Sequence, residues 1–292
     1  MRLHLVDGTY ELFRAHFSKR PARSDPGGHD VKATVGLVES LLALLRDEDE
    51  DVTHVAVAFD NPIRSFRNDL FPHYKDDGGV PEALLRQFDL AEEGTRALGL
   101  TVWSMADQEA DDALATAAAR WEHHVEQVRI LSPDKDLGQC VRGSRIVLVD
   151  RRRGLVIDQA ALRERRGIAP RSVPDWLALV GDRADGLPGI PGFGESTAAA
   201  VLARYERLEN IPEVGRDWEV VAVRGRERLA STLIERRDDA LLYRRLATLL
   251  VDLPLSEDLD ALRWHGVPGG SFLAFCDALG VEGLRQRPTR WA

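Results

Sequence analysis

Sulfur and long apolar runs are both scarce in this sequence. Only two cysteines, Cys140 and Cys276, occur in 292 residues. Neither has metal-ligand spacing around it, so a thiolate metal site is excluded and each reads as a small buried apolar side chain. No stretch reaches the roughly 18 consecutive apolar residues of a membrane helix. The N-terminus, MRLHLVDGTY, enters a short apolar run at once, without the h-region and cleavage site of a secretory signal. These absences read as a cytoplasmic protein with no membrane partner. Lysine is also rare, the basic residues being almost all arginine, and the net charge is −9. A negative total argues against a polyanionic partner. A cluster of metal-binding acids, however, makes even a nucleic-acid enzyme acidic overall, so the sum alone decides nothing.

What is present has a clear order. At 292 residues the chain exceeds a typical single core, so one large domain with an appendage, or two domains, is expected. Apolar runs LHLVD (3–7), HVAVAFD (54–60), VRILSPD (128–134) and SRIVLVD (144–150) read as strands ending in an acid, with LTVW (100–103) a weaker one. Between them lie helical patterns at 32–47 and 81–99, and a helix starting near Glu109. Strand–helix alternation predicts an α/β fold with a mostly parallel sheet. From about 158 the strands stop. Helical patterns follow at 172–182, 195–205, 226–235, 238–252 and 271–280. Residues 61–80 stand apart: Arg64, Arg67, Lys75, Phe66, Phe71 and Tyr74 make a segment too polar for a core helix and too aromatic for a linker. It reads as a surface excursion that contacts a ligand.

The carboxylates carry the chemistry. In a parallel α/β sheet the ligand site lies beyond the carboxyl ends of the strands, where helix N-termini also point. Asp7, Asp60 and Asp134 fall at strand ends, and Glu109, Asp111 and Asp112 at a helix start. Asp136 follows Asp134 by two residues, and Asp182 and Asp185 open the helical region. A helix dipole rewards one or two acids at its start by about 0.3–1 kcal/mol each, which does not account for such a set. Two like charges 4 Å apart repel by about 4 kcal/mol at an effective dielectric of 20, so the set calls for cations. Oxygen ligands without histidine or cysteine suit Mg²⁺ or Mn²⁺ rather than Zn²⁺. Two such ions clamp the attacking and leaving oxygens of a phosphodiester.

A second signal is LPGIPGFGESTAAAVLARY (187–205), where Gly192 and Gly194 lead into a helix start rich in free N–H groups, a ready anion site. With the preceding helix it has the form of a helix-hairpin-helix, which holds a DNA backbone without reading sequence. Ten arginines lie between 204 and 245, but nine acids lie among them, so no basic patch can be assigned there.

LVDGTYELFRAHF, FDNPIRSFRNDLFPHYK, EADD, DKDL and GDRADGLPGIPGFGESTA resemble, in order and spacing, the 5′ nuclease family, which includes the 5′–3′ exonuclease domain of bacterial DNA polymerase I and the flap endonucleases. The resemblance runs from Leu3 to about Leu250, and with no polymerase domain following it implies a stand-alone member. It implies a PIN-like core over 1–168 with a helical arch at about 61–80, and a helix-hairpin-helix DNA-binding region over 169–292. By it, Asp7, Asp60, Glu109, Asp111, Asp112, Asp134, Asp136, Asp182 and Asp185 match the family's metal-site acids. Lys75 matches the arch lysine near the scissile phosphate and Arg14 an arginine near the substrate strand, with Arg67 a further catalytic candidate. Tyr10 or Phe13 would stack on an unpaired base. Arg64, Gly192, Gly194, Ser196 and Thr197 would meet DNA, and the carbonyls of Ile190 and Gly192 would bind K⁺. Two departures stand out. Gly78 replaces an arch arginine, leaving Arg64, Arg67 or Arg86 to substitute, and Ser196 replaces a hairpin lysine. The implied activity is a structure-specific, metal-dependent 5′–3′ exonuclease and flap endonuclease. A monomer acting on flap, nicked or overhanging duplex, and on RNA primer–DNA hybrids, in replication and repair is expected. A non-cleaving DNA-binding accessory protein and a PIN-type ribonuclease are the alternatives.

Overall fold

The computed structural model describes residues 1–220 and 223–292. In chain order its elements are β1 (Arg2–Asp7), α1 (Gly8–His16), α2 (Lys32–Leu45), β2 (His54–Asp60), α3 (Phe66–Leu70), α4 (Glu82–Leu85) and α5 (Phe88–Ala97). There follow β3 (Thr101–Met105), α6 (Ala110–Trp121), β4 (Gln127–Leu131), β5 (Ile146–Asp150), β6 (Leu155–Ile157), α7 (Gln159–Arg166) and α8 (Val173–Val180). The chain ends with α9 (Glu195–Tyr205), α10 (Arg226–Glu235), α11 (Arg237–Ala247) and α12 (Gly269–Leu279). Among the described residues no helix is long and apolar enough to cross a membrane.

Two compact units result. The first comprises Met1–Ser65, Asp77–Ser132 and Val251–Ala292; the second comprises Phe66–Asp76 and Pro133–Leu250. Compactness therefore divides the chain differently from a single cut at 168, because the last segment packs with the first unit.

In the first unit, β1 pairs in parallel with β2 and β4, and β2 in parallel with β3. All seven residues of β2 are buried. An unbroken apolar run of this kind is what a parallel strand covered on both faces requires. Register places Asp7 beside Ala58 and Asp60 beside Met105, so both acids lie at the carboxyl edge. The turn from β1 into α1 needs Gly8: a Cβ there would lie 2.6 Å from the Phe59 ring.

Two expectations are corrected here. The 81–99 pattern is not one helix but α4 and α5, parted where buried Gln87 turns its side chain to accept the Thr34 N–H at 3.1 Å. The strand expected through Asp134 ends at Leu131, so Asp134 lies three residues beyond it, after Pro133. A proline lacks the N–H that a continuing ladder needs.

The second unit joins the antiparallel pair β5–β6 to the helices α3 and α7 to α11. Asp175 on α8 is fully buried and holds the unit together. It accepts from the Leu208 N–H at 3.1 Å, Arg244 at 3.2 Å and Arg207 at 3.2 Å. Residues 66–76 are not a plain surface excursion. Arg67, Asn68 and Tyr74 are buried, and Asn68 donates to the carbonyls of Tyr74 and Lys75.

Candidate metal centres

In the first unit Asp7 closes β1 and caps α1, its Oδ1 accepting the Tyr10 N–H at 2.8 Å and its Oδ2 the Ser132 hydroxyl at 2.8 Å. The Asp60 N–H donates to Thr9 Oγ1 at 2.8 Å, and Asp60 Oδ1 accepts the Ala110 N–H at 2.7 Å. That second bond ties the end of β2 to the start of α6. Glu109 caps α6 and exchanges hydrogen bonds with Asp112 in a capping box, the Glu109 N–H reaching Asp112 Oδ2 at 3.0 Å. The Ser65 hydroxyl donates to Glu109 Oε1 at 2.7 Å. A helix start thus accounts for one oxygen each of Asp60, Glu109 and Asp112. Asp111, half-buried in the first turn, is no part of the capping box. Serine and threonine hydroxyls hold the remaining geometry, and nothing in the acidic pattern signalled Thr9, Ser65 or Ser132.

The second unit holds a tighter group. Carboxylate oxygens of Asp136, Asp182 and Asp185 lie within 4.8 Å of one another. Asp136 is 6% exposed, and its Oδ1 has no hydrogen-bond partner among the described residues. Burial, reinforced by the charges of Asp134, Asp185 and Asp182 and opposed by Lys135, pushes the Asp136 carboxyl well above the ordinary range. Asp134 is exposed, and its Oδ1 accepts the Asp136 N–H at 2.9 Å. Lys135 Nζ stands 2.8 Å from Asp182 Oδ2, and Lys75 Nζ 3.2 Å from Asp185 Oδ1. Lys135 was missed by the sequence reading, although its position between two acids marks it. The loop carrying Asp182 and Asp185 closes by paired backbone bonds between Asp182 and Leu187, at 2.9 and 2.7 Å. Gly186, at φ +75°, lets that loop approach residues 66–76 so closely that a Cβ would fall 2.1 Å from the His73 carbonyl oxygen. This approach aligns the Lys75 N–H with the Asp185 carbonyl at 3.1 Å.

Crowded carboxylates, an unsatisfied buried oxygen and an all-oxygen donor set fit a hard divalent cation. A buried carboxylate left unpaired is otherwise costly.

The other expected residues fall variously. Arg67 is 1% exposed and donates from Nε to the Leu246 carbonyl at 2.8 Å and from Nη2 to that of Thr248 at 3.2 Å. There it ties chain segments of the second unit together. Arg14 pairs with Glu11 and donates to Ser40 Oγ at 2.8 Å, while its buried Nε has no hydrogen-bond partner among the described residues. Tyr10 and Phe13 are half-buried on α1, with Phe13 edge-on to Phe88 at 6.3 Å, and Arg64 is exposed. Gly192, Gly194 and Ser196 are exposed and Thr197 half-exposed at the start of α9, for which Gly194 is the cap. The Ile190 carbonyl accepts the Phe193 N–H at 3.1 Å.

These features define a class: an α/β protein with a crowded carboxylate group that could hold a metal ion. Comparison with known proteins agrees and is more specific. The chain belongs to the 5′–3′ exonuclease family, whose N-terminal resolvase-like domain matches residues 2–167 and whose C-terminal SAM fold matches 168–268. It is 36% identical over 291 residues to DNA polymerase I of Rhizobium leguminosarum, covering 98% of this chain and 28% of that protein. It is 33% identical over 294 residues to DNA polymerase I of Bacillus caldotenax, covering 98% of this chain and 32% of that protein. The chain therefore spans about a third or less of these relatives. Among solved structures, the T5 5′-exonuclease with bound zinc ions matches with a TM-score of 0.64 at 17% identity, covering 85% of this chain and 89% of that one. The catalytic core of Rad2 in complex with DNA substrate matches at 0.60 and 14% identity, covering 97% and 89%. These two likenesses are of fold.

Proposed function

We propose that this chain is a Mg²⁺- or Mn²⁺-dependent structure-specific 5′ nuclease that hydrolyses DNA phosphodiesters near single-strand/duplex junctions, in replication and repair. The observation that carries the reading is the trio Asp136, Asp182 and Asp185 with its unsatisfied Asp136 oxygen. The DNA bound in the Rad2 structure and the metals bound in the T5 structure support it through likeness of fold. Asp136, Asp182 and Asp185, with Asp134 beside them, would hold a cation in the second unit; Asp7, Asp60, Glu109 and Asp111 would do so in the first, with Asp112 orienting Glu109. Such ions, when bound, lower the pKa of a water and stabilise charge on phosphate oxygens.

The chain's own residues do the rest. Lys75 and Lys135 each lie against one acid of the trio, placed to meet a phosphate that brings negative charge to the same spot. Arg14, half-buried beside Glu11 and Ser40, would approach the substrate strand, and Phe13 or Tyr10 would stack on an unpaired base. The exposed turn Gly192–Gly194 and the first N–H groups of α9 would hold a duplex by its phosphates, with K⁺ at the Ile190 and Gly192 carbonyls. Monomeric action and use of RNA primer–DNA hybrids belong to the same proposal.

The test is a 5′-flap duplex, with a DNA or an RNA flap, incubated with Mg²⁺, Mn²⁺ or EDTA. Cleavage at the junction with either metal and none in EDTA supports the reading. Binding without cleavage identifies an accessory protein, and cleavage of RNA flaps alone a ribonuclease.

A further inference from the structure

Residues 142–171 carry nine arginines against Asp150, Asp158 and Glu164, a surplus of +6 in a chain whose total is −9. The segment folds as β5, the turn 151–154, β6 and α7, all within the second unit. Arg142, Arg145, Arg152, Arg153, Arg163 and Arg165 are exposed. Among the described residues only Arg153 of these six has an acidic partner, Asp150 at 3.6 Å.

The frame under these arginines is fixed. The Gln159 N–H donates to the Gly143 carbonyl at 3.0 Å, and the Gly143 N–H to Gln159 Oε1 at 3.0 Å. Those bonds pin the Arg142–Arg145 turn to the start of α7. Asp158 caps that helix through the Ala161 N–H at 2.8 Å, and Gly167 ends it in the left-handed region at φ +72°. Inward, Leu162 packs over Gly138, two residues from Asp136, where an added Cβ would meet it at 3.0 Å. The arginines flanking Leu162 thus project from a helix backing the acidic trio. A helix C-terminus favours cations, which accounts for Arg163 and Arg165. It does not account for the arginines of the two β turns.

We propose that this surface, formed by the β5–β6 hairpin and α7, binds the phosphate backbone of duplex DNA as a site separate from the glycine-rich turn before α9. The inference rests on the nuclease reading above. Arginine forks match phosphate oxygens bidentately, and a rigid frame lowers the entropy lost in ordering them. Single-strand sites pair cations with aromatic stacking surfaces. No aromatic residue occurs between 142 and 171, which selects duplex backbone over single strand.

The test uses the full chain in EDTA, with affinity for a blunt duplex measured against salt. The quadruple variant Arg145→Ala, Arg152→Ala, Arg163→Ala, Arg165→Ala is compared with wild type and with the matching Arg→Lys variant. Each phosphate contact contributes roughly 0.9 to the slope of log K against log salt. The Ala variant is expected to bind at least tenfold more weakly with a slope smaller by about 3, the Lys variant to keep most of the slope, and both to keep the wild-type circular dichroism spectrum. An Ala variant with wild-type affinity and slope overturns the site and leaves the nuclease reading standing. A wild type that binds no duplex overturns it as well, and flap cleavage in the same samples then decides separately on the nuclease.

Discussion

Lys75 meets Asp185 twice: its side-chain ammonium lies 3.2 Å from Asp185 Oδ1, and its N–H donates to the Asp185 carbonyl at 3.1 Å. A cation fixed to an acid of the trio by both main chain and side chain is positioned rather than loosely tethered. Lys75→Ala is therefore expected to slow single-turnover flap cleavage by roughly 10²-fold or more, with duplex affinity within a few-fold of wild type. Equal losses in rate and affinity would show instead that Lys75 acts in binding.

Asp136→Asn separates stability from chemistry. Burial and neighbouring acids raise the Asp136 carboxyl, so the metal-free native state binds its proton more tightly than the unfolded chain. Stability from this group is present at low pH and is lost as pH rises from the unfolded value through the raised one. A neutral amide removes that loss. In EDTA at pH 7.5 the variant is expected to melt at a higher temperature than wild type, and to show less stabilisation by Mn²⁺ in differential scanning calorimetry. A lower melting temperature in EDTA contradicts the assignment.

Arg67→Ala is expected to act on folding. Its guanidinium satisfies the carbonyls of Leu246 and Thr248 in a nearly inaccessible place, so truncation leaves those acceptors unpaired and a cavity behind. A cost of about 3 kcal/mol in urea unfolding is expected. Normal stability with lost cleavage would return Arg67 to the catalytic set.

Much of this was legible in the sequence. HVAVAFD (54–60) coincides with β2, and LHLVD differs from β1 by one residue, because buried parallel strands are unbroken apolar runs. The acids at their ends could be placed on one edge for the same reason. Residues 61–80 were not legible. Arg67 and Asn68 are buried because they bind backbone carbonyls, a reason that leaves no periodicity. The hydroxyls of Thr9, Ser65 and Ser132 were equally silent, since only the fold brings them to Asp60, Glu109 and Asp7. The arginines of 142–171 could be counted in the sequence, but their common surface needed the hydrogen bonds between Gly143 and Gln159.

Glu50 gives a pH signature remote from the acids. Burial alone would raise its carboxyl, but hydrogen bonds from His4 and Arg129, at 3.0 and 2.7 Å, outweigh it and hold the pKa at about 2. A depressed carboxyl stabilises above its unfolded value, and that stability fades as pH falls through about 2. Glu50→Gln is expected to cost about 1 kcal/mol at pH 7, since solvent screens this half-buried pair, with the difference from wild type shrinking between about pH 4.5 and 2. A penalty unchanged across that window would remove the ion pairs from the account.

Cys276 should be chemically quiet. Burial, with the charge of Asp277 adding to it, pushes the thiol up to about 11. At pH 8 native protein is expected to leave Cys276 unmodified by iodoacetamide over hours, and unfolded protein to react within minutes, as mass spectrometry of the peptide would show.

The most direct test of the central claim is single-turnover cleavage of a 5′-flap duplex labelled at both ends, in Mg²⁺ or Mn²⁺, comparing wild type with Asp136→Asn. Wild type is expected to cleave at the junction, and the variant, still fully folded, to lose at least about 10²-fold in rate. Wild-type rates from the folded variant would contradict the assignment of the trio Asp136, Asp182 and Asp185 as a catalytic metal centre.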